Sequence, residues 1–268
     1  MDKRKELKKS TIVVGTEKNT FDYKIVDVIG DGANSIVYDA QYFDSDNGYH
    51  SVRIKECYPY MSNVERIGDT LVWENETQKE RDISNFKNAY HKLLKVQNDS
   101  NVSNATAHVF DLIEANGTLY SIMDATVGTT FDKDKNNNLI DILKTVCALA
   151  KVVGKYHNNG YLHLDIKPSN FLTIAETREM VILFDVDTVT LIDEIQSGKI
   201  NNMYFSNGWG APEQMQGKIS KLCPATDIFA IGAILLKKQW AEKFLMTICH
   251  LLQIGSLKAK SLIKLILR

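Results

Sequence analysis

The apolar residues of this chain change their spacing part-way along, and that change limits the fold more than any other feature. In residues 23–29, 36–38 and 51–55 they alternate with polar ones, the period a strand needs when one face is buried. Residues 109–114 and 119–123 read as two further strands on either side of Asn116-Gly117, a dipeptide suited to a tight hairpin turn. One helical stretch interrupts the strands: residues 74–96 lack Gly and Pro and set Phe86, Tyr90, Leu93 and Leu94 at helical spacing. Beyond Asp124 the period becomes helical. Residues 138–158 carry Leu139, Ile142, Leu143, Val146, Leu149, Val152, Val153 and Tyr156 as a wide apolar stripe. The sequence therefore predicts an α+β chain, with a basic tail over 1–10, an antiparallel sheet with one long helix over 11–125, and a mainly helical part over 126–268.

Three stretches carry chemistry. Residues 161–172, Tyr-Leu-His-Leu-Asp-Ile-Lys-Pro-Ser-Asn-Phe-Leu, place a carboxylate, an ammonium and a carboxamide within six positions between apolar flanks that read as short strands. Asp165 is placed to accept a proton from an attacking hydroxyl, Lys167 to neutralise charge on a transferred phosphoryl, and Asn170 to offer an oxygen to a divalent metal. Gly30-Asp31-Gly32-Ala33-Asn34-Ser35-Ile36-Val37 lies between two strand-like runs, where backbone amides freed of side-chain bulk can close over phosphates. Asp185 ends an apolar strand that begins at Val181.

The pattern H-x-D-x-K-P-x-N from His163 to Asn170 resembles the catalytic loop of the protein kinase superfamily, and Lys167 two positions after Asp165 resembles its serine/threonine branch. Further motifs stand in the order this resemblance requires: the glycine turn, Val52-Arg53-Ile54-Lys55, Asp185 in the place of D-F-G, Ala211-Pro212-Glu213, and the run from Asp227 to Gly232. Lys55-Glu-Cys-Tyr-Pro59 is similar to a stretch of bacterial kinases of the eukaryotic-like type. The likeness covers Tyr23 to Gly232. It implies a two-lobed fold that binds ATP with Mg²⁺ or Mn²⁺ between the lobes and transfers the γ-phosphoryl to a protein Ser or Thr hydroxyl. On that reading Asp165 is the base, Lys167 stabilises transition-state charge, and Lys55 reaches the phosphates. Gly30, Asp31, Gly32, Ala33, Asn34 and Ser35 cover the nucleotide, Val37 and Leu172 sandwich adenine, Met123 also borders the nucleotide, and Asn170 and Asp185 hold metal. Ser206, seven positions before Glu213, takes the place of a hydroxyl that bonds the catalytic Asp and Lys.

Several positions depart from the resemblance. The helix Glu that pairs with the strand Lys is expected at Ala89 or Tyr90, and neither is charged; Glu80 lies almost three turns earlier and serves only if the helix is shifted. Arg53 replaces a small residue beside adenine and, two positions before Lys55, points to the same strand face. Asp187 replaces the flexible Gly of D-F-G. Leu164 replaces the Arg that receives a phosphorylated activation loop, which removes that switch. Glu213 lacks its usual Arg partner, with Arg268, Lys258 or Lys260 as substitutes. These departures keep a second reading open, a nucleotide-binding pseudokinase acting as a regulatory scaffold. Only 36 residues follow Gly232, and Phe244, Ile248, Leu251 and Leu252, then Leu262, Ile263, Leu265 and Ile266, suggest two closing helices or an exposed partner-binding face.

Composition narrows the partners. A net charge of −1 gives no global field toward nucleic acid or an anionic membrane, and the basic first ten residues read as a solvated tail. The longest apolar run, 228–236, falls well short of the ~20 residues that span a bilayer. Four scattered cysteines with no C-x-x-C pair suit a reducing cytoplasm rather than a disulfide framework or zinc site. The protein substrate and the activating signal are not encoded legibly.

Overall fold

The computed structural model describes residues 4–15, 21–134, 138–174, 178–200 and 203–251, with backbone alone from 239 onward. The chain divides into two compact units, Met1–Asp99 with Ala107–Thr126, and Ser100–Thr106 with Val127–Arg268.

The first unit contains strands β1 (Ile12–Val14), β2 (Asp22–Asp31), β3 (Ser35–Asp44), β4 (Gly48–Cys57), β5 (Val64–Ile67) and β6 (Thr70–Trp73), helix α1 (Glu76–Gln97), and strands β7 (Val109–Ala115) and β8 (Thr118–Asp124). Six strands form one antiparallel sheet in the order β1-β2-β3-β4-β8-β7. Alternation puts Ile36, Tyr38, Val52, Ile54, Tyr120 and Ile122 in one core and leaves Val37, Arg53, Lys55 and Met123 on the other face. Asn116 and Gly117, both at positive φ, turn β7 into β8 as that dipeptide predicts. Gly117 has a second duty: a Cβ there would sit 2.4 Å from the Leu71 carbonyl. That close approach ties the β5–β6 hairpin to the β7–β8 turn through Leu71 N–H to Asn116 O and Trp73 Nε1 to Gly117 O.

The solvated-tail reading is corrected at Arg4 and Leu7, while Lys5, Glu6, Lys8 and Lys9 are exposed. Leu7 is buried in the sheet core and its N–H donates to the Tyr38 hydroxyl, while the Arg4 guanidinium donates to Tyr58 O and Ser35 O and lies over the Tyr58 ring. Arg66, from the β5–β6 hairpin, reaches back to Lys5 O and forms an ion pair of 2.6 Å with fully buried Glu56. The Tyr38 and Tyr120 hydroxyls donate to the same carboxylate. Burial and this carboxylate hold both phenols in the protonated form far above the usual tyrosine range. The basic segment is thus anchored by a polar cluster inside the unit.

The second unit contains β9 (Thr129–Thr130), α2 (Leu139–Asn158), β10 (Tyr161–Leu162), β11 (Phe171–Thr173), β12 (Val181–Leu183), β13 (Thr190–Leu191), α3 (Ile192–Gln196), α4 (Pro212–Met215) and α5 (Pro224–Leu251). The Asn138 side chain caps α2 by accepting from Ile140 N–H. From α2, Ile142, Leu149, Val153 and Tyr156 are buried; Leu139 and Leu143 remain exposed, which narrows the expected stripe. Helix α2 packs on α5, β10 and β12. The short pairs β10–β13 and β11–β12 hold the two ends of the 163–170 loop. Phe244, Ile248 and Leu251 lie on α5 itself, so the first of the expected closing helices is a continuation of the helix that begins at Pro224. Leu252, Leu262, Ile263, Leu265 and Ile266 lie outside the described residues.

Candidate active site

In the second unit, the loop between β10 and β11 is held from beneath by Asp227 at the start of α5. One carboxylate oxygen accepts the Leu164 N–H and the other accepts the His163 N–H, each at 2.8 Å, with His157 Nε2 2.9 Å from the latter. Leu164 pays for this arrangement with a left-handed backbone, φ 67. His163 is completely buried, and desolvation lowers its pKa against the pull of nearby carboxylates, so the imidazole is neutral and its Nδ1 faces the Asp165 N–H at 3.4 Å.

Above this base the polar side chains converge. Lys167 Nζ lies 2.9 Å from Asp165 Oδ2 and donates to Ser206 Oγ at 2.7 Å; the Ser206 N–H donates to Asp165 Oδ1 at 2.9 Å. Ser206 thus meets both groups, its hydroxyl taking the Lys and its backbone taking the Asp. Asn170 is buried, and its Nδ2 donates to Asp165 O and Oδ2, which leaves Oδ1 as the atom for a cation. Asp185, also left-handed at φ 58, follows Phe184, whose N–H donates to Asn170 O. Asp187 lies exposed on a 3-10 turn over Val186–Thr188. Leu172 is buried in β11 between Thr130 and Ile182.

In the first unit, the cross-strand registers place two rows on the face opposite the core: Val37, Lys55 and Ser121, and beside them Asp39, Arg53 and Met123. The glycine turn joins β2 and β3 at Gly32–Asn34. Gly32 N–H donates to Ser35 O, and the carbonyls of Ala33 and Asn34 accept from Tyr60 and Tyr58 N–H. Asp31, Gly32, Ala33 and Asn34 are exposed, whereas Ser35 is buried. Arg53 turns toward Asp39, with Nε 3.7 Å from the carboxylate. That answers how a long cation fits on this face: a cross-strand acid draws it sideways. Asp39 had no signal in the sequence beyond its odd-numbered place in β3.

The sequence profile of the protein kinase domain matches residues 23–247. The chain belongs to the protein kinase domain family. Curated relatives include cyclin-dependent kinase F-3 of rice, 23% identical over 80% of this chain and 43% of its own length. A probable serine/threonine-protein kinase of Clostridium acetobutylicum is 27% identical over 80% of this chain and 29% of its own length. Probable serine/threonine-protein kinase PknB of Lactococcus lactis is 24% identical over 66% and 29%. The chain therefore spans less than half the length of these relatives. Among solved structures, a crystallised kinase domain aligns over 88% of this chain and 67% of its own with TM-score 0.65 at 16% identity. The apo form of PpkA-294 covers 85% of this chain and 78% of its own, with TM-score 0.62 at 23% identity. The fold is the α+β protein kinase fold, and the likeness to bacterial serine/threonine kinases holds.

Within that fold, α1 buries Phe86, Leu93 and Val96. Ala89 and Tyr90 lie between them on the inward side, half-buried, so the kinase helix has no acid there. Glu80 is exposed. The acid that α1 does turn inward is Asp82, one turn before Phe86, with a side chain only 12% exposed and bonded to the Ser62 hydroxyl. Among the described residues Glu213 finds neither Arg nor Lys; Thr226 Oγ1 donates to it at 2.5 Å. Arg268, Lys258 and Lys260 lie outside the described residues. Thr226, Gln214, Asp39 and Asp82 are all functional candidates that the motif reading passed over.

Proposed function

We propose that this kinase domain transfers the γ-phosphoryl of ATP to a Ser or Thr hydroxyl of a protein, using Mg²⁺ or Mn²⁺. The observation that carries this reading is the Asp165–Lys167–Ser206–Asn170 cluster, whose bonds hold a base, a cation and a metal-binding amide in one rigid group. Asp165 accepts the proton of the attacking hydroxyl, and Lys167, fixed beside it, meets the charge of the transferred phosphoryl. From the first unit, Lys55 takes the α and β phosphates; the turn residues Gly30, Asp31, Gly32, Ala33, Asn34 and Ser35 cover them with backbone amides. Val37 and Met123 of the first unit, and Leu172 of the second, would each offer an apolar side chain to adenine. Asn170 and Asp185 would hold the metal. Hard oxygens of this kind suit Mg²⁺, an ion that usually keeps water and substrate phosphate among its ligands. When bound, the metal neutralises phosphate charge.

No helix among the described residues is long and apolar enough to cross a membrane, and a cytoplasmic setting forms part of this proposal. It is supported by the free thiols Cys57, Cys147 and Cys223.

A second reading, the nucleotide-binding scaffold, is favoured by one observation: Ala89 and Tyr90, half-buried on α1, are uncharged at the positions where the family resemblance expects a Glu. The deciding experiment is incorporation of labelled γ-phosphate, with Mg²⁺ or Mn²⁺, into the protein itself and into a generic basic protein. Phosphoserine or phosphothreonine in either product supports the kinase. No label, together with a thermal shift on adding ATP, selects the scaffold, and no shift either removes both readings.

A further inference from the structure

Leu164, immediately before Asp165, holds a backbone conformation that an L residue keeps only where its surroundings over-determine it. Asp227 fixes its N–H. Its carbonyl is fixed separately, by Gln214 Nε2 at 2.8 Å. Gln214 lies on α4, just after the Ala-Pro-Glu motif, and is 3% exposed. Its Oε1 accepts the Ala211 N–H at 3.0 Å, which is the ordinary reach-back bond at the start of a helix. The Nε2 bond is different, because nothing in helix initiation calls for it, and it ends on the loop that carries the proposed base.

Followed onward, these bonds close a ring. Ser206 N–H reaches Asp165 Oδ1, and Trp209 and Gly210 N–H donate to Ser206 O. Ala211 N–H meets Gln214 Oε1, and Gln214 Nε2 returns to Leu164 O beside Asp165. We propose that Gln214 is a positioning residue for the phosphoryl transfer, aligning Asp165 by tying the Leu164 carbonyl to the segment that carries Ser206. The assignment rests on the kinase reading above. Neither Asp227 nor the Ala-Pro-Glu residues can take this part, since Asp227 meets only N–H groups of the loop and Glu213 is engaged by Thr226.

Two variants test it in the full chain. Gln214→Met keeps the volume and removes both bonds; kcat is expected to fall about tenfold with KM for ATP within about twofold, because only a transition-state alignment is lost. Gln214→Glu keeps the acceptor for Ala211 N–H but, when ionised, turns an oxygen on the Leu164 carbonyl, whereas the protonated acid donates to it. The ratio of its kcat to that of the wild type should therefore climb as the pH is lowered from 8 to 6. A residue that merely fills space predicts a lower melting temperature with kcat unchanged in Gln214→Met, and a flat ratio in Gln214→Glu; that result overturns the proposal. If Gln214→Met does not fold, the pH ratio of Gln214→Glu decides alone. A wild type without phosphoryl transfer removes the kinase reading and this assignment together, while an active wild type with a flat ratio removes this assignment only.

Discussion

Replacing Arg66 with Met leaves a carboxylate stranded inside the sheet unit. Glu56 is fully buried, the Arg66 side chain is 3% exposed, and their ion pair measures 2.6 Å. The variant keeps the two phenol donors of Tyr38 and Tyr120. It loses the cation, the bonds to Lys5 O and Asp69 O, and the guanidinium over the Tyr58 ring. Breaking a buried pair from one side costs roughly 3–5 kcal/mol, because the remaining charge stays desolvated. At about 2.1 cal/mol/K per residue, cooperative melting of the whole chain converts this to a drop of roughly 5–9 °C. If the first unit melts alone, its smaller entropy makes the drop roughly 12–20 °C. Scanning calorimetry of Arg66→Met and of the double variant Glu56→Gln/Arg66→Met measures it, the double variant recovering at least half of the loss because no charge is left unmatched and the amide still meets both phenols. A single variant melting within about 2 °C of the wild type would refute the idea that this pair anchors the unit.

Three further outcomes follow from particular side chains. Burial lowers the pKa of His163, so an unfolded chain binds a proton near ~6.5 that the native state refuses; unfolding free energy should decline below that pH by up to ~1.4 kcal/mol per unit. His163→Phe should flatten the slope, and an unchanged slope in urea titrations would exclude this residue as its source. Desolvation pushes the Cys57 thiol up to about 12 while Cys147 and Cys223 are exposed, so alkylation read by mass spectrometry should mark those two before Cys57. Early labelling of Cys57 would contradict its burial. Ser206→Ala removes the oxygen that Lys167 meets at 2.7 Å while leaving the backbone bond to Asp165, and kcat should fall about 5–20-fold; an undiminished kcat would mean that Lys167 needs no second anchor.

What could be read in advance depended on whether the cause was local. The 163–170 loop announced itself because a carboxylate, an ammonium and an amide sit within six positions, and the short strands around it are apolar. Strands β3 and β4 alternate because one face packs on the core, whereas β8 is buried on both faces, its Leu119 packing with Cys57 and with Phe86 of α1. The β5–β6 hairpin did not announce itself: its strands are four residues long, and in β5 the buried position is occupied by Arg66, which inverts the expected pattern of apolar inside and charge outside. The same long-range cluster explains Leu7, one apolar residue in a basic run, whose burial is set by Tyr38 some thirty positions away. Gln214 and Thr226 were invisible for the same reason, since their partners Leu164 and Glu213 are brought to them by the fold. Arg53 looked incompatible with its strand face until the register set Asp39 opposite it.

The most direct test of the account compares the wild type with Asp165→Asn in two measurements on one preparation, ATP affinity and transfer of labelled γ-phosphate. Asparagine keeps the size and an oxygen for Ser206 N–H but cannot take the proton from an acceptor hydroxyl. The account predicts ATP binding within about threefold of the wild type and transfer reduced by at least ~10²-fold. Transfer at the wild-type rate by Asp165→Asn would contradict it.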